Sequence, residues 1–87
     1  MSVGMPHEGA PKLVEEMSEL TKVLARIIAG SKTGMVDGKP IEQALREELA
    51  DVVASFKFFC TKHGVRAAEL QDRVTMKFER YQEWDKE

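Results

Sequence analysis

The chain has 87 residues, enough for one domain with a modest core, and domains of this size often gain stability by oligomerising. The net charge of −2 provides no basic field for a nucleic-acid backbone. No apolar run approaches the roughly 18 to 20 residues that span a bilayer. The single cysteine, Cys60, excludes an internal disulfide and fits a reducing compartment. We expect a soluble cytoplasmic protein that binds neither nucleic acid nor membrane.

Residues 1–10 contain two glycines and a proline without a periodic apolar pattern, and this composition predicts a flexible N-terminal segment. Residues 11–87 are predicted to form a single helical domain. Pro11 suits the first turn of a helix, and Gly30 is a plausible end. Between them, apolar residues at spacings of 4, 3, 4 and 3 predict a narrow helix-bundle seam, formed by Leu13, Met17, Leu20, Leu24 and Ile27.

The sequence GSKTGMVDGKP, residues 30–40, predicts a connecting loop with a turn at Asp37 and Gly38. Pro40 opens a second predicted helix and Gly64 ends it. The inner face of this helix is predicted to consist of Ile41, Leu45, Leu49, Val52, Phe56 and Phe59.

A third helix is predicted from about Ala67 to about Trp84 by a further periodic apolar pattern. Its predicted inner face consists of Leu70, Val74, Phe78 and Tyr81. No period-2 segment is long enough to predict a strand. The expected fold is all-α: a three-helix protomer in which the first two helices form an antiparallel hairpin.

The first two predicted helices share a pattern of acids. LVEEMSEL at 13–20 aligns with LREELADV at 45–52, and both read L-x-E-E-x-x-acid-aliphatic. At about 100° per residue, Glu16 and Glu19 lie about 60° and about 120° from Leu13 on one side of the helix. The first helix therefore carries an i, i+3 pair of acids along the edge of its apolar seam.

The second helix carries Glu48 and Asp51 in the same relation to its own seam. If the seams pack together, four carboxylates line one groove, and that much like charge requires a cation in a partly dry site. Mg²⁺ takes oxygen ligands from a few carboxylates, substrate phosphates and water. Neither histidine lies in a Glu-x-x-His arrangement, which argues against a di-iron site. Cys60 and His63 are too few for a structural zinc.

A solvated surface is the alternative interpretation of these acids. A single E-E-x-x-E motif on a helix is usually exposed, and Lys12 and Lys22 are spaced to form weak ion pairs with the glutamates at 15, 16 and 19. Two copies in register at the seam edge weaken this interpretation. The spacing alone leaves both interpretations open.

The third predicted helix carries a basic stripe that ends in an aromatic residue, with Arg73, Lys77, Arg80 and Trp84 at spacings of 4, 3 and 4. Such a stripe is most often solvated. Beside a metal-loaded acidic groove it would suit a polyphosphate, because phosphate oxygens accept charge-assisted hydrogen bonds. Tyr81 and Trp84 are suited either to stacking on a nucleobase or to packing in a dimer core.

Taken in order, these motifs resemble the MazG-like all-α nucleoside triphosphate pyrophosphohydrolases. They are E-E-x-x-E at 15–19, E-x-x-D at 48–51 and K-F-E-R-Y at 77–81, and KHGV at 62–65 is similar to the family's turn after its second motif helix. The resemblance covers roughly residues 12–82. Each motif alone is weak, whereas the ordered set at matching helix positions is fairly specific.

The resemblance implies hydrolysis of a nucleoside or deoxynucleoside triphosphate between its α and β phosphates, giving a monophosphate and pyrophosphate in a nucleotide-pool cleaning role. It implies a Mg²⁺ cofactor, with Mn²⁺ as a substitute, ligated by Glu16, Glu19, Glu48 and Asp51. Glu15 would be the base for the attacking water. The phosphate- and substrate-binding residues would be Lys77, Arg80, Tyr81 and Trp84.

The resemblance also implies a homodimer or homotetramer, because dimers of this family build a four-helix-bundle-type core from paired hairpins. Two departures from the family concern the nucleobase pocket. Many relatives have a further helix where this chain has residues 1–10, and Gln82 replaces a proline that often follows the Arg-Tyr pair. A partner subunit would have to complete the pocket.

Two alternatives accompany this hypothesis. One is phosphoribosyl-ATP pyrophosphohydrolase, whose fold is related but whose more specific motifs have no convincing copy in the chain. The other is a catalytically silent helical module for oligomerisation or nucleotide sensing. The complete acid set argues against the silent module, because a degenerate protein could lose such costly residues freely.

Overall fold

The computed structural model of the chain describes residues 8–30 and 34–86. Of the predicted flexible segment 1–10, residues 1–7 lie outside this range, as do residues 31–33 of the predicted loop. The elements in chain order are α1 (Ala10–Ile28), β1 (Met35–Val36), β2 (Lys39–Pro40), α2 (Ile41–His63) and α3 (Ala67–Lys86). The chain is therefore mostly helical, with three helices in the described ranges, as the sequence predicts.

The helices begin and end close to the predicted residues. Pro11 lies in the first turn of α1, where its missing N–H leaves no hydrogen bond unmade. Pro40 precedes α2, and Gly64 ends it in the left-handed conformation with φ of 70°. Lys62 and His63 in the last turn of α2 complement the negative end of its dipole.

A short β-hairpin lies in the predicted loop, and the expectation of no strand is wrong at this point. Met35 pairs with Pro40 and Val36 pairs with Lys39 across the predicted Asp37-Gly38 turn. Positive φ angles at both turn residues, 52° and 80°, are those of the turn that joins two-residue hairpins. Strands of two residues are too short to show alternation, which is why periodicity misses them.

Helices α1 and α2 pack against each other in antiparallel orientation, as predicted. At one end of the pair, Gly9 lies against the ring of Phe58, and His63 Nε2 donates to the Glu8 carbonyl oxygen at 2.7 Å. At the other end, the Arg26 guanidinium donates to the Met35 carbonyl oxygen at 3.3 Å. The buried core between these contacts consists of Val23, Val36, Ile41 and Ala44, with Ile27 and Leu45 packed on it.

The line of contact between α1 and α2 differs from the predicted seam. Leu13, Leu20 and Ile27 are half-buried, but Met17 and Leu24 of the same seam are exposed. Contact instead centres on Val23 of α1 and on Ile41, Ala44 and Ser55 of α2. Leu49 and Phe56, predicted to face inward, are also exposed, so one apolar flank of the helix pair has no cover within the protomer.

Helix α3 leaves most of its predicted inner face exposed. Val74, Phe78 and Tyr81 are each more than half exposed, and only Leu70 of this face is half-buried. The radius of gyration is 15.9 Å, against about 12 Å for a compact domain of this length. The accessible surface of 7086 Å² likewise exceeds the roughly 5200 Å² typical of a compact monomer of this mass. The protomer is therefore an open arrangement with a large apolar surface.

In the part of the chain that the structure describes, no helix combines the length and the apolar character needed to cross a bilayer.

Replacement of Gly38 by alanine tests the hairpin turn. We expect Gly38→Ala to lower the free energy of unfolding by about 1 kcal/mol, because a Cβ is strained at φ of 80° although it meets no neighbouring atom. Asp37→Asn at the adjacent position should leave stability unchanged, since Asn-Gly favours this turn. Urea unfolding of both variants measures the difference, and equal stability of Gly38→Ala and the wild type would contradict the assigned turn.

Candidate functional site

Three acids from two helices come together at the α1–α2 contact. One carboxylate oxygen each of Glu16, Glu48 and Asp51 lies within 4.8 Å of the other two; Glu16 and Glu48 are half-buried and Asp51 is exposed. Glu48 is seven residues from both Ile41 and Ser55, which are buried, and seven residues in a helix return to within about 20° of the same direction. The side chains that pack the two helices together therefore also direct Glu48 into their contact.

Glu16 is directed into the same contact by its own helix. It is seven residues before Val23, which is 2% exposed, and its side chain is only 18% exposed. The neighbouring Glu15 is 60% exposed, so two adjacent glutamates of one motif lie in different surroundings. The sequence predicted Glu16 and Glu48 at the edge of an apolar seam, and the structure has them inside the helix–helix contact.

Glu48 is the most constrained of the three acids. Its Oε1 atom is buried, and no atom of the described ranges forms a hydrogen bond with it. Burial raises the pKa of the Glu48 carboxyl above its ordinary value, and the negative charges of Asp51, Glu16 and Glu19 raise it further, while Lys39 opposes them. An unpartnered buried carboxylate oxygen beside two other carboxylates is a position that a cation would stabilise.

Two of the three acids, Glu16 and Asp51, open onto a groove of about 320 Å³. It is lined by Lys12, Glu16, Asp51, Ala54, Ser55 and Phe58. The Ser55 hydroxyl donates to the Val52 carbonyl oxygen at 3.0 Å and so already has a partner within α2. The Lys12 ammonium lies 3.0 Å from Glu15 Oε1 and 3.8 Å from Glu16 Oε2, and it is the one cationic side chain in this lining.

A second lysine, Lys39, also acts on Glu48 through its charge. The sequence pattern indicated no role for it. Lys39 of β2 forms an ion pair with Glu47, which also accepts a hydrogen bond from Gln43 Nε2 at 2.9 Å. These two hydrogen bonds lower the pKa of the Glu47 carboxyl. The hairpin brings Lys39 to Glu47 of α2. A loop predicted over residues 30–40 does not indicate this ion pair.

Glu15 and Glu19 lie outside the set of three. Glu15 is paired with Lys12, and Glu19 Oε1 lies 3.5 Å from Lys22 Nζ. The negative charge of Glu19 still contributes to the raised pKa of Glu48, so Glu19 lies close to the cluster. The structure thus brings together three of the four acids that the resemblance assigns to the metal.

The predicted substrate-binding residues of α3 border a different groove. Lys77 and Tyr81 line an apolar groove of about 450 Å³ with Phe56 of α2, and Arg73 lies on the same lining. Trp84 is 62% exposed and packs on Tyr81 with ring centroids 5.3 Å apart, and Arg80 is exposed. The lining of the acidic groove includes no described residue of α3.

Carboxylates in this arrangement could hold a hard divalent cation. Carboxylate oxygens suit Mg²⁺, Mn²⁺ or Ca²⁺, whereas zinc and iron sites usually include histidine or cysteine. In the described ranges, no other group of three or more His, Cys, Asp or Glu side chains has ligand atoms this close together. The buried oxygen of Glu48 provides the independent fit, because a cation would supply the partner that this atom lacks.

Comparison with known proteins returned no relative. No family model matches the chain, and neither a curated protein nor a solved structure is significantly similar to it. The resemblance to MazG-like enzymes therefore rests on the motifs in the sequence.

Neutralisation of Glu48 tests its environment. We expect Glu48→Gln to raise the free energy of unfolding by about 1 kcal/mol at neutral pH without divalent cations, because it removes a charge that burial disfavours. A raised pKa means that the folded state binds the proton more tightly than the unfolded state. The penalty in the wild type is therefore complete above the folded-state pKa and disappears as the pH falls towards 4.5, the ordinary value.

Urea unfolding between neutral pH and about pH 4 measures this difference. Glu79→Gln is a matched control and should leave stability nearly unchanged, since Glu79 is an exposed glutamate away from both ends of α3. A Glu48→Gln protein that is less stable than the wild type at neutral pH would contradict the assigned environment.

Proposed function

We propose that the protein is a Mg²⁺-dependent nucleoside triphosphate pyrophosphohydrolase that converts a nucleotide to its monophosphate and pyrophosphate. The single observation that carries this proposal is the buried, unpartnered Glu48 oxygen within a cluster of three carboxylates on two helices. Such a cluster is costly without a cation, and a divalent cation beside a groove is what a polyphosphate substrate requires. The order of the motifs along the chain supports the same reaction.

In this proposal Glu16, Glu48 and Asp51 hold the cation, and Glu19 joins them from the next turn of α1. The bound Mg²⁺ would neutralise the phosphates and stabilise the charge that develops in the transition state. Glu15 orients the attacking water and accepts its proton, which requires the carboxylate to leave its pairing with Lys12.

Lys77 and Arg80 hold the phosphates by charge-assisted hydrogen bonds, and Tyr81 and Trp84 stack on the base. These four residues lie on α3, where Lys77 and Tyr81 line a groove other than the acidic one. Substrate binding therefore requires α3 of the same protomer to move or α3 of a partner to approach the acidic groove.

We further propose that a second copy of the chain covers the exposed apolar flank, in a homodimer or homotetramer with a four-helix core. The flank combines Met17 and Leu24 of α1 with Val53 and Phe56 of α2. Its groove, about 360 Å³, shares Phe56 with the groove beside α3, so the two form one continuous surface. The surface in excess of a compact monomer is on the scale that one subunit buries in an obligate dimer.

Replacement of a cluster acid tests the reaction. We expect Asp51→Asn to reduce Mg²⁺-dependent pyrophosphate release by at least roughly 100-fold, because the cation loses a charged ligand. Asp72→Asn, at an exposed position of α3, should retain wild-type activity. The assay is a pyrophosphate-release screen over canonical, deoxy and damaged nucleotides with Mg²⁺ and with Mn²⁺.

Phosphoribosyl-ATP is included in the same screen to separate the related enzyme class. Unchanged turnover in Asp51→Asn would contradict the site. Nucleotide binding or dimerisation without product in the wild type would favour the silent module.

A charge placed on the exposed flank tests the assembly. We expect Val53→Glu to convert the oligomer to monomer, because a dimer would bury the new carboxylate in an apolar contact. Thr61→Glu, exposed two turns further along α2, should keep the wild-type state. Sedimentation velocity measures both, and a monomeric wild type would contradict the proposed assembly.

A further inference from the structure

Lys12 is the one cationic side chain in the lining of the acidic groove. It lies four residues before Glu16 on α1, and its ammonium is within 4 Å of both Glu15 and Glu16. The charge of Asp51 on α2 also acts on it. Lys12 is therefore electrostatically coupled to acids from both helices.

The reach of Lys12 ends before the innermost acid. Its ammonium is 3.8 Å from Glu16 Oε2, while Glu48 Oε1 remains buried without a hydrogen-bond partner. Lys12 thus holds positive charge beside Glu16 rather than at the buried Glu48 oxygen. Its side chain is 55% exposed, so it can move into solvent at little cost in packing.

We propose that the Lys12 ammonium is a tethered counter-cation that competes with the divalent cation for the acidic groove. A cation bound between Glu16, Glu48 and Asp51 repels the ammonium, which must turn away as the site fills. Lys12 thereby sets the cation concentration at which the site is occupied. This inference rests on the proposed function, since it concerns the same metal site.

Removal of one partner of an ion pair is usually expected only to weaken a protein, whereas removal of Lys12 should have two opposite effects. Removal of Lys12 should weaken the metal-free protein, because the acids lose their local counter-charge. The same removal should strengthen divalent cation binding, because one repulsive charge is gone. A lysine that served only the surface would have no effect on cation affinity.

The test measures Mn²⁺ binding to the full chain by calorimetry at fixed ionic strength. Lys12→Gln is expected to lower the Mn²⁺ dissociation constant by at least about fivefold, the scale of two unit charges about 4 Å apart in water, since Mn²⁺ carries two charges. Lys12→Arg, which keeps the charge, should bind Mn²⁺ as the wild type does. Melting without divalent cations should show a lower melting temperature for Lys12→Gln.

Lys57→Gln is the matched control. Lys57 is an exposed lysine nine residues after Glu48, on the opposite side of α2, and it does not line the groove. Its replacement should leave Mn²⁺ affinity within about twofold of the wild type, because the charge lies roughly 13 Å along the helix from Glu48 and faces away from it. Equal tightening in both variants would overturn the proposal by showing a general charge effect.

The remaining outcomes separate this inference from the proposed function. Mn²⁺ binding by the wild type that Lys12→Gln leaves unchanged or weakens overturns the role of Lys12 alone. A wild type that binds no Mn²⁺ overturns the metal site itself and with it the competition.

Discussion

The structure depends on the contact between α1 and α2. This contact includes two half-buried carboxylates at positions where apolar side chains normally pack. Glu16 and Glu48 share their directions with Val23, Ile41 and Ser55, so the helices cannot pack on this line without bringing the acids together. The like charges oppose the contact that the neighbouring apolar residues favour. The raised pKa of Glu48 and the position of the lysine at the groove both follow from this conflict.

The same conflict explains why so much apolar surface remains exposed. The α1–α2 contact uses the side of each helix that carries the acids, and the richer apolar flank is left on the outside with Met17, Leu24 and Phe56. Helix α3 extends this surface rather than covering it. A small chain that assigns its helix contact to charged residues therefore keeps a large share of its apolar side chains exposed in the described ranges.

The sequence predicted the helices well because prolines and a glycine mark helix ends. Pro11, Pro40 and Gly64 start or stop a helix through their own backbone conformation, which does not depend on distant residues. It could not predict the β-hairpin, whose strands are too short for a pattern, nor therefore the contact of Lys39 with Glu47. Periodicity identified the apolar stripes but not what covers each one, because that depends on the other helices. Periodicity placed Glu16 on the first helix and Glu48 and Asp51 on the second. It could not predict how far each side chain is buried, because burial depends on which sides of the two helices face each other.

Different contacts connect α1 and α2 at the two ends of the helix pair, and together they oppose sliding of one helix along the other. The hairpin and Arg26 tie the end of α1 to the start of α2, while Glu8 and His63 tie the opposite ends. A slide by one helical turn, about 5.4 Å, would break both fastenings at once. The register that sets the positions of Glu16 and Glu48 relative to each other is thus held by residues far from them.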